Sequence, residues 1–152
     1  MIGRLFPQQL DNRFEGHRAA LWLLGVYVAL KLAMSANSIF NTASVAAGAD
    51  GIPLDRFGPA AAQEVLTLFA LVALGQLMLA ILGVVALVRY RAIVPLLFVL
   101  LLGEAICRRL IVWSFAAERT AQGAGGWYIN IGLLALLAAG LALSLIPRSA
   151  RD

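Results

Sequence analysis

The chain has 152 residues, of which 62% are hydrophobic and 13% are charged, with a formal net charge of +4 and a mean hydropathy of +0.89. A soluble domain is closer to half apolar and a quarter charged, so this composition excludes an ordinary soluble enzyme or binding domain. The basic residues are scattered and form no run, which excludes a basic nucleic-acid-binding tail.

The N-terminal tail carries Phe6, Leu10 and Phe14 at four-residue spacing, which would place them on one face of a helix. Charged residues flank this stripe, so residues 1–18 are expected to form an amphipathic helix at the cytoplasmic surface of the membrane. A loose tail with hydrophobic residues at chance positions is the alternative.

Four apolar blocks follow, and each is long enough to cross the ~30 Å hydrocarbon layer of a bilayer as a helix. They cover approximately residues 19–39, 63–88, 93–114 and 127–146, and Pro59 is a candidate first residue of the second helix. The short connections leave no room for a soluble domain. The sequence therefore predicts one all-α membrane domain, residues 1–152, built as an up-and-down bundle of four transmembrane helices.

The first block also has features of a secretory signal peptide. It combines a basic start, a short apolar run and Ala33 three positions upstream of a potential cut after Ser35. The long preceding tail contains acidic residues, and Lys31 lies close to that cut, which is unfavourable for cleavage. We therefore expect the first block to remain as a membrane helix.

The arginines outside the apolar blocks are distributed unequally between alternating connections. Seven belong to the two tails and the second connection: Arg4, Arg13, Arg18, Arg89, Arg91, Arg148 and Arg151. Two belong to the first and third connections: Arg56 and Arg119. Because basic residues are retained on the cytoplasmic side, we expect a plasma (inner) membrane protein with both termini in the cytoplasm.

Ionisable side chains interrupt the apolar blocks at membrane depth, where each charge costs roughly 2.5–3.5 kcal/mol at a helix centre. Glu104 and Arg108 are four residues apart and can pair on one face of the third helix. Lys31 begins a polar stripe in the outer half of the first helix. On an opposite face, Gly25, Ala29 and Ala33 form a series of small residues that would permit close helix packing.

The simplest way to satisfy these polar groups is for them to face one another in a net-positive pocket that opens to the outer side. Arg109 points away from Glu104, so it either joins this pocket or extends to the lipid phosphates. The candidate ligand-binding residues are Lys31, Ser35, Ser38, Gln76, Glu104, Arg108, Arg109 and Asn130.

Two functions compete for this pocket. In the first, its positive charge receives a carboxylate, a phosphate or a lipid headgroup, so the protein binds or moves an amphipathic, anionic small molecule or lipid. In the second, the ions only neutralise each other and fix the helix register. The protein is then a non-catalytic structural or assembly subunit, partnered by a second copy or by another membrane protein, with small-residue stripes facing outward. Deprotonation of Lys31 on burial would leave a neutral pocket.

Catalytic signals are absent from the sequence. Cys107 is the only cysteine and His17 the only histidine, which excludes an intrachain disulfide and a bis-histidine haem and disfavours a zinc site. There is no HExxH motif, no glycine-rich phosphate loop and no nucleophile with a plausible histidine partner. We therefore expect no catalytic residues, no metal and no cofactor.

Overall fold

The computed structural model describes residues 5, 7, 9–115, 119–121 and 124–147. Within these residues, four long helices contain most of the chain: α1 Ala19–Phe40, α2 Pro59–Arg89, α3 Val94–Ser114 and α4 Ala124–Leu145. The part of the chain that is described holds no strand, only an isolated bridge between Gly16 and Pro147. This confirms the all-α prediction for the described residues.

Three of the four helices are long and apolar enough to cross a membrane: Ala19–Phe40, Pro59–Arg89 and Gly125–Leu145. The helix α2 begins at Pro59, four residues before the predicted block, because proline lacks the N–H that the first helical turn leaves unpaired. The helix α3 has 21 residues, so at about 1.5 Å each it has the length of such a span, but it is not among these three. It differs from the other three in carrying three ionisable residues in its second half.

The helix α1 is central, since it packs against both α2 and α4, whereas α3 packs mainly on α4 and contacts α2 less. Large side chains of α1, including Leu24, Tyr27 and Val28, are buried at these contacts. The matching face of α2 is built from small residues such as Ala80 and Gly83. A Cβ atom at Gly83 would collide with the Val28 side chain, so the absence of a side chain there allows α1 and α2 to approach closely.

The prediction that Gly25, Ala29 and Ala33 form the tight packing face of the first helix is wrong. Ala29 and Ala33 are exposed, and Gly25 is half-buried. The buried face of α1 carries Lys31 and Ser35 instead. The reason is that α2 supplies the small residues at its contact with α1, so α1 contributes the large side chains.

In the described part of the N-terminal tail, Leu5 is helical, but the predicted amphipathic helix does not extend over residues 9–17, which form bends, irregular segments and a bridge. The Asp11 side chain accepts a hydrogen bond from the Arg13 N–H, and the Asp11 carbonyl accepts one from Ala92 N–H at 3.3 Å. The His17 N–H donates to the Leu143 carbonyl. These backbone groups therefore bond to other elements rather than within a helix; Phe6 lies outside the described residues.

These contacts place the N-terminal tail, the α2–α3 connection and the end of α4 at one end of the molecule. The opposite end, called the distal end, contains the α1–α2 connection and the start of α4. There, a π-helical turn, Val45–Ala49, leads to Gly51, whose φ of 66° is a conformation that glycine adopts without strain. The Thr120 N–H donates to the Gly51 carbonyl at 2.8 Å, which joins the distal connections.

A pair of glycines on α4 tests this packing. A Cβ atom at Gly140 would overlap the buried ring of Phe98 on α3, whereas Gly132 is exposed with open space around it. We expect Gly140→Ala to lower the free energy of unfolding by about 1–3 kcal/mol through overpacking. Gly132→Ala should be neutral or stabilising by up to ~1 kcal/mol, because alanine is the better helix former. Thermal unfolding in detergent measures both, and equal shifts would contradict the packing.

Candidate functional site

A carboxylate in the middle of α3 accepts hydrogen bonds from two helices. The Gln76 side chain on α2 donates Nε2–H to Glu104 Oε1 at 2.7 Å, and Arg108 donates Nε–H to the same oxygen at 3.0 Å. The Arg108–Glu104 pair has the geometry that its four-residue spacing predicts. The two side chains are 37% and 26% exposed, so the pair lies at the edge of the helix packing rather than deep within it.

The second oxygen of this carboxylate, Oε2, is buried and has no hydrogen-bond partner among the described residues. Lys31 approaches from α1 with only 6% of its surface exposed. Its ammonium lies 5.9 Å from the centre of the Tyr27 ring and forms no ion pair within 4.0 Å with a described carboxylate. Lys31 therefore adds a second positive charge near Glu104 and Arg108 without neutralising Glu104 by direct contact.

A cavity of about 720 Å³ opens beside this cluster at the distal end, between α3, the start of α4 and the α1–α2 connection. Small-molecule sites typically occupy ~300–1,000 Å³, so this volume is sufficient for a ligand. We call it the α3–α4 cavity. Its polar lining consists of Asp50, Arg108, Arg109, Arg119, Thr120 and Asn130, and its apolar lining includes Leu110, Val112, Trp113, Trp127 and Leu134.

The cavity exists because the two halves of α3 pack differently. The first half is buried against α4 through residues such as Leu97, Phe98 and Leu101. Beyond Ala105 the α3 side chains are half-buried or exposed. At the same level, Gly126 brings the start of α4 into contact with the Ala49 carbonyl, a contact that a Cβ atom would prevent. The start of α4 is thus held against the α1–α2 connection while the second half of α3 stays open.

The charges that the described lining residues contribute are unequal, with three guanidinium groups and one carboxylate. Arg119 Nη1 donates to the main-chain oxygen of Asp50 at 3.0 Å, so this hydrogen bond does not involve the Asp50 carboxylate. Burial raises the pKa of Asp50, and the positive charges of Arg119, Arg108 and Lys31 oppose that rise. The Thr120 hydroxyl is buried and has no partner among the described residues.

The structure separates the predicted site residues into two groups. Arg108, Arg109 and Asn130 line the cavity, and Asn130 donates Nδ2–H to the Gly126 carbonyl of its own helix at 2.8 Å. The lining of the cavity does not include the other five, which are Lys31, Ser35, Ser38, Gln76 and Glu104. Arg108 connects the groups, because it bonds Glu104 and also faces the cavity. Arg109 shares the cavity with Arg108 although it points away from Glu104.

The sequence did not identify three residues of the cavity lining as site residues: Asp50, Arg119 and Thr120. The Asp50-Gly51 dipeptide indicates only a turn, and Arg119 contributes only to the charge asymmetry between the connections. One signal was available for Arg119, which is one of just two arginines in the connections expected to face outward. Its contact with Asp50 joins residues 69 positions apart, which no local pattern reveals.

Comparison of the chain with models of protein families, with curated proteins and with solved structures finds no match in any of the three. Among the described residues, no group of three or more His, Cys, Asp or Glu side chains is placed to hold a metal ion. The chemistry that the cavity offers is recognition by guanidinium, carboxylate and hydroxyl groups beside an apolar wall.

The contact between Glu104 and Arg108 predicts energetic coupling. In a double-mutant cycle of Glu104→Gln and Arg108→Gln, we expect a coupling free energy of about 0.5–3 kcal/mol, as for other contacting residues. Removing one partner alone leaves the other without its ion pair, so the double variant should recover part of the loss in stability.

A matched cycle uses Glu104→Gln with Arg109→Gln, which changes the neighbouring arginine that does not bond Glu104. In this cycle, the losses in free energy of unfolding of the two single variants should add up to that of the double variant to within about 0.5 kcal/mol. Denaturant or thermal unfolding in detergent measures both cycles. Additive losses for the Arg108 cycle would exclude the pairing.

Proposed function

We propose that this protein is a four-span membrane protein that binds an amphipathic anion, a lipid or a small molecule, in the α3–α4 cavity. The observation that carries the proposal is the composition of the described part of the cavity wall, which combines three arginines and a single acid with apolar side chains. We further propose that both termini lie in the cytoplasm, which places the distal end and its cavity on the outer side.

The direction of the α3 side chains supports this helix as a fourth span. Its exposed side chains outside the cavity lining are mostly apolar, for example Leu100, Ile106 and Ile111, and would contact lipid. Its ionisable groups are directed elsewhere, because Glu104 bonds Gln76 and both arginines line the cavity. Charged groups that face protein or a hydrated cavity are the ones that a membrane helix tolerates.

The positive charge of the cavity supports an anionic ligand. Guanidinium groups remain charged when buried, so Arg108, Arg109 and Arg119 repel one another unless anions lie between them. Among the described residues, the nearby carboxylates are those of Glu104 and Asp50, and of these two only Glu104 makes a direct ion pair with one of these arginines. A phosphate or carboxylate group could accept hydrogen bonds from two guanidinium groups at once. Such charge-assisted hydrogen bonds are stronger than those between neutral groups.

The apolar wall supports an amphipathic ligand. Leu110, Val112 and Trp113 extend along α3 toward the distal end, and Leu134 faces them from α4. An anionic headgroup at the arginines would therefore continue into a hydrocarbon chain that lies along these residues. A small inorganic anion would leave this apolar surface uncovered.

A second candidate is the structural-subunit function, and one observation favours it. Ala29 and Ala33 on α1 are exposed, as are Ala135 and Ala139 on α4. Outward-facing small residues at four-residue spacing are suited to packing against a helix of another subunit. The cavity has no role in this function, which separates the two candidates experimentally.

The proposed topology predicts the side on which reporter fusions are active. A fusion after Arg89 should report the cytoplasm. Arg89 lies at the same end of the molecule as the N-terminal tail and the end of α4, which are proposed to be cytoplasmic. A reporter inserted after Gly48 should report the outer side, since basic residues are scarce in that connection. A cytoplasmic signal from the Gly48 insertion would contradict the orientation.

The proposed binding predicts that cavity arginines control affinity. Arg109→Gln or Arg119→Gln should weaken binding of dioleoylphosphatidylglycerol to delipidated protein by roughly tenfold to 150-fold, the value of one charge-assisted hydrogen bond. Arg89→Gln is the control, because this exposed arginine lies at the opposite end. Native mass spectrometry measures the bound fraction during titration. If all three variants bind like the unmodified protein, and a second protein co-purifies stoichiometrically, the subunit function takes precedence.

A further inference from the structure

Among the described residues that line the α3–α4 cavity, Asp50 carries the one acidic group. No described cation lies within 4.0 Å of its carboxylate oxygens, and the neighbouring Arg119 donates to the main-chain oxygen of Asp50 instead. Its position is fixed from both sides, since Gly51 follows in a left-handed turn and the Ala49 carbonyl contacts Gly126 on α4. Asp50 is thus an acid held at the cavity wall without a direct ionic partner.

An acid in this position is unfavourable for a ligand that carries only negative charge. The Asp50 carboxylate would repel a phosphate or carboxylate bound by Arg108, Arg109 and Arg119. It would form no favourable ionic contact with such a ligand. A ligand that also carries a cation changes this balance, because the cation supplies the partner that the carboxylate lacks. Burial already raises the pKa of Asp50, and a bound cation would favour its charged form.

Resting on the proposed function, we propose that the α3–α4 cavity selects a phospholipid headgroup that carries both a phosphodiester and a primary ammonium, with the phosphodiester at the arginines and the ammonium at Asp50. A primary ammonium has three N–H donors, and a carboxylate accepts them in short, charge-assisted hydrogen bonds. A trimethylated ammonium has no N–H donor and cannot form these bonds. The Thr120 hydroxyl, buried and unpartnered in the same lining, is a further hydrogen-bonding group for the headgroup.

The experiment compares three lipids with identical dioleoyl chains, titrated into the delipidated full chain in detergent. Phosphatidylethanolamine carries the primary ammonium, phosphatidylcholine carries the trimethylated group, and phosphatidylglycerol carries none. We expect phosphatidylethanolamine to bind more tightly than phosphatidylcholine by roughly tenfold to 150-fold. This comparison needs no variant, so it tests the proposal even if a substitution at Asp50 disturbs folding.

The variant Asp50→Asn should remove the preference for phosphatidylethanolamine while leaving binding of phosphatidylglycerol equal or tighter. Asp55→Asn is the matched control, because this exposed acid lies five residues further in the same connection and outside the cavity lining. Soluble glycerophosphoethanolamine, added as a competitor, distinguishes a headgroup site from one that requires the acyl chains. Ammonium recognition is supported if glycerophosphoethanolamine displaces phosphatidylethanolamine from the unmodified protein but does not displace phosphatidylglycerol from Asp50→Asn.

Two failures are distinguishable. Equal affinity of the unmodified protein for phosphatidylethanolamine and phosphatidylcholine, or an equal loss of all three lipids in Asp50→Asn, would overturn the ammonium site and leave anion binding standing. If none of the three lipids binds and Arg109→Gln has no effect, the proposed function itself is wrong.

Discussion

The hydrogen bonds to one oxygen of Glu104 are the constraint on which the polar centre of the molecule depends. If α3 spans the membrane as proposed, lipid cannot solvate this carboxylate, so its hydrogen-bond donors must come from the protein. Gln76 provides one donor from α2 and Arg108 provides the other from α3, and together they connect two helices that otherwise have few contacts. With one oxygen bonded and the other buried without a described partner, Glu104 holds Arg108 at the border between the helix core and the cavity.

The position of Arg108 follows from the way α3 divides. Its first half is fixed by Phe98, which is buried against α4 where Gly140 leaves space for the ring. Its second half has no comparable apolar anchor, because three of its residues are ionisable and need polar surroundings. The same residues that prevent tight packing therefore create the cavity and furnish its charge. The proposal of a ligand rests on this combination of open space with an excess of positive charge among the described lining residues.

The distal end adds groups that the helices alone would not provide. The turn at Asp50 and Gly51 is closed by bonds from Arg119 and Thr120, so two separate connections form one wall of the cavity. A site made in this way presents both signs of charge within one volume of about 720 Å³. Under the proposed function, an exclusively cationic site would bind any amphipathic anion, whereas the added carboxylate would allow it to discriminate between headgroups.

The sequence by itself determined the features that depend on local spacing and length. It predicted the four helices to within a few residues and the pairing of Glu104 with Arg108 across one helical turn. It did not determine which face of each helix is buried, and it assigned the small residues of α1 to the wrong side. The physical reason is that core-facing and lipid-facing residues are both apolar in such a chain, so periodicity carries little information. Contacts between Asp50 and Arg119 were decided only by the tertiary structure, because they join positions that no helical period relates.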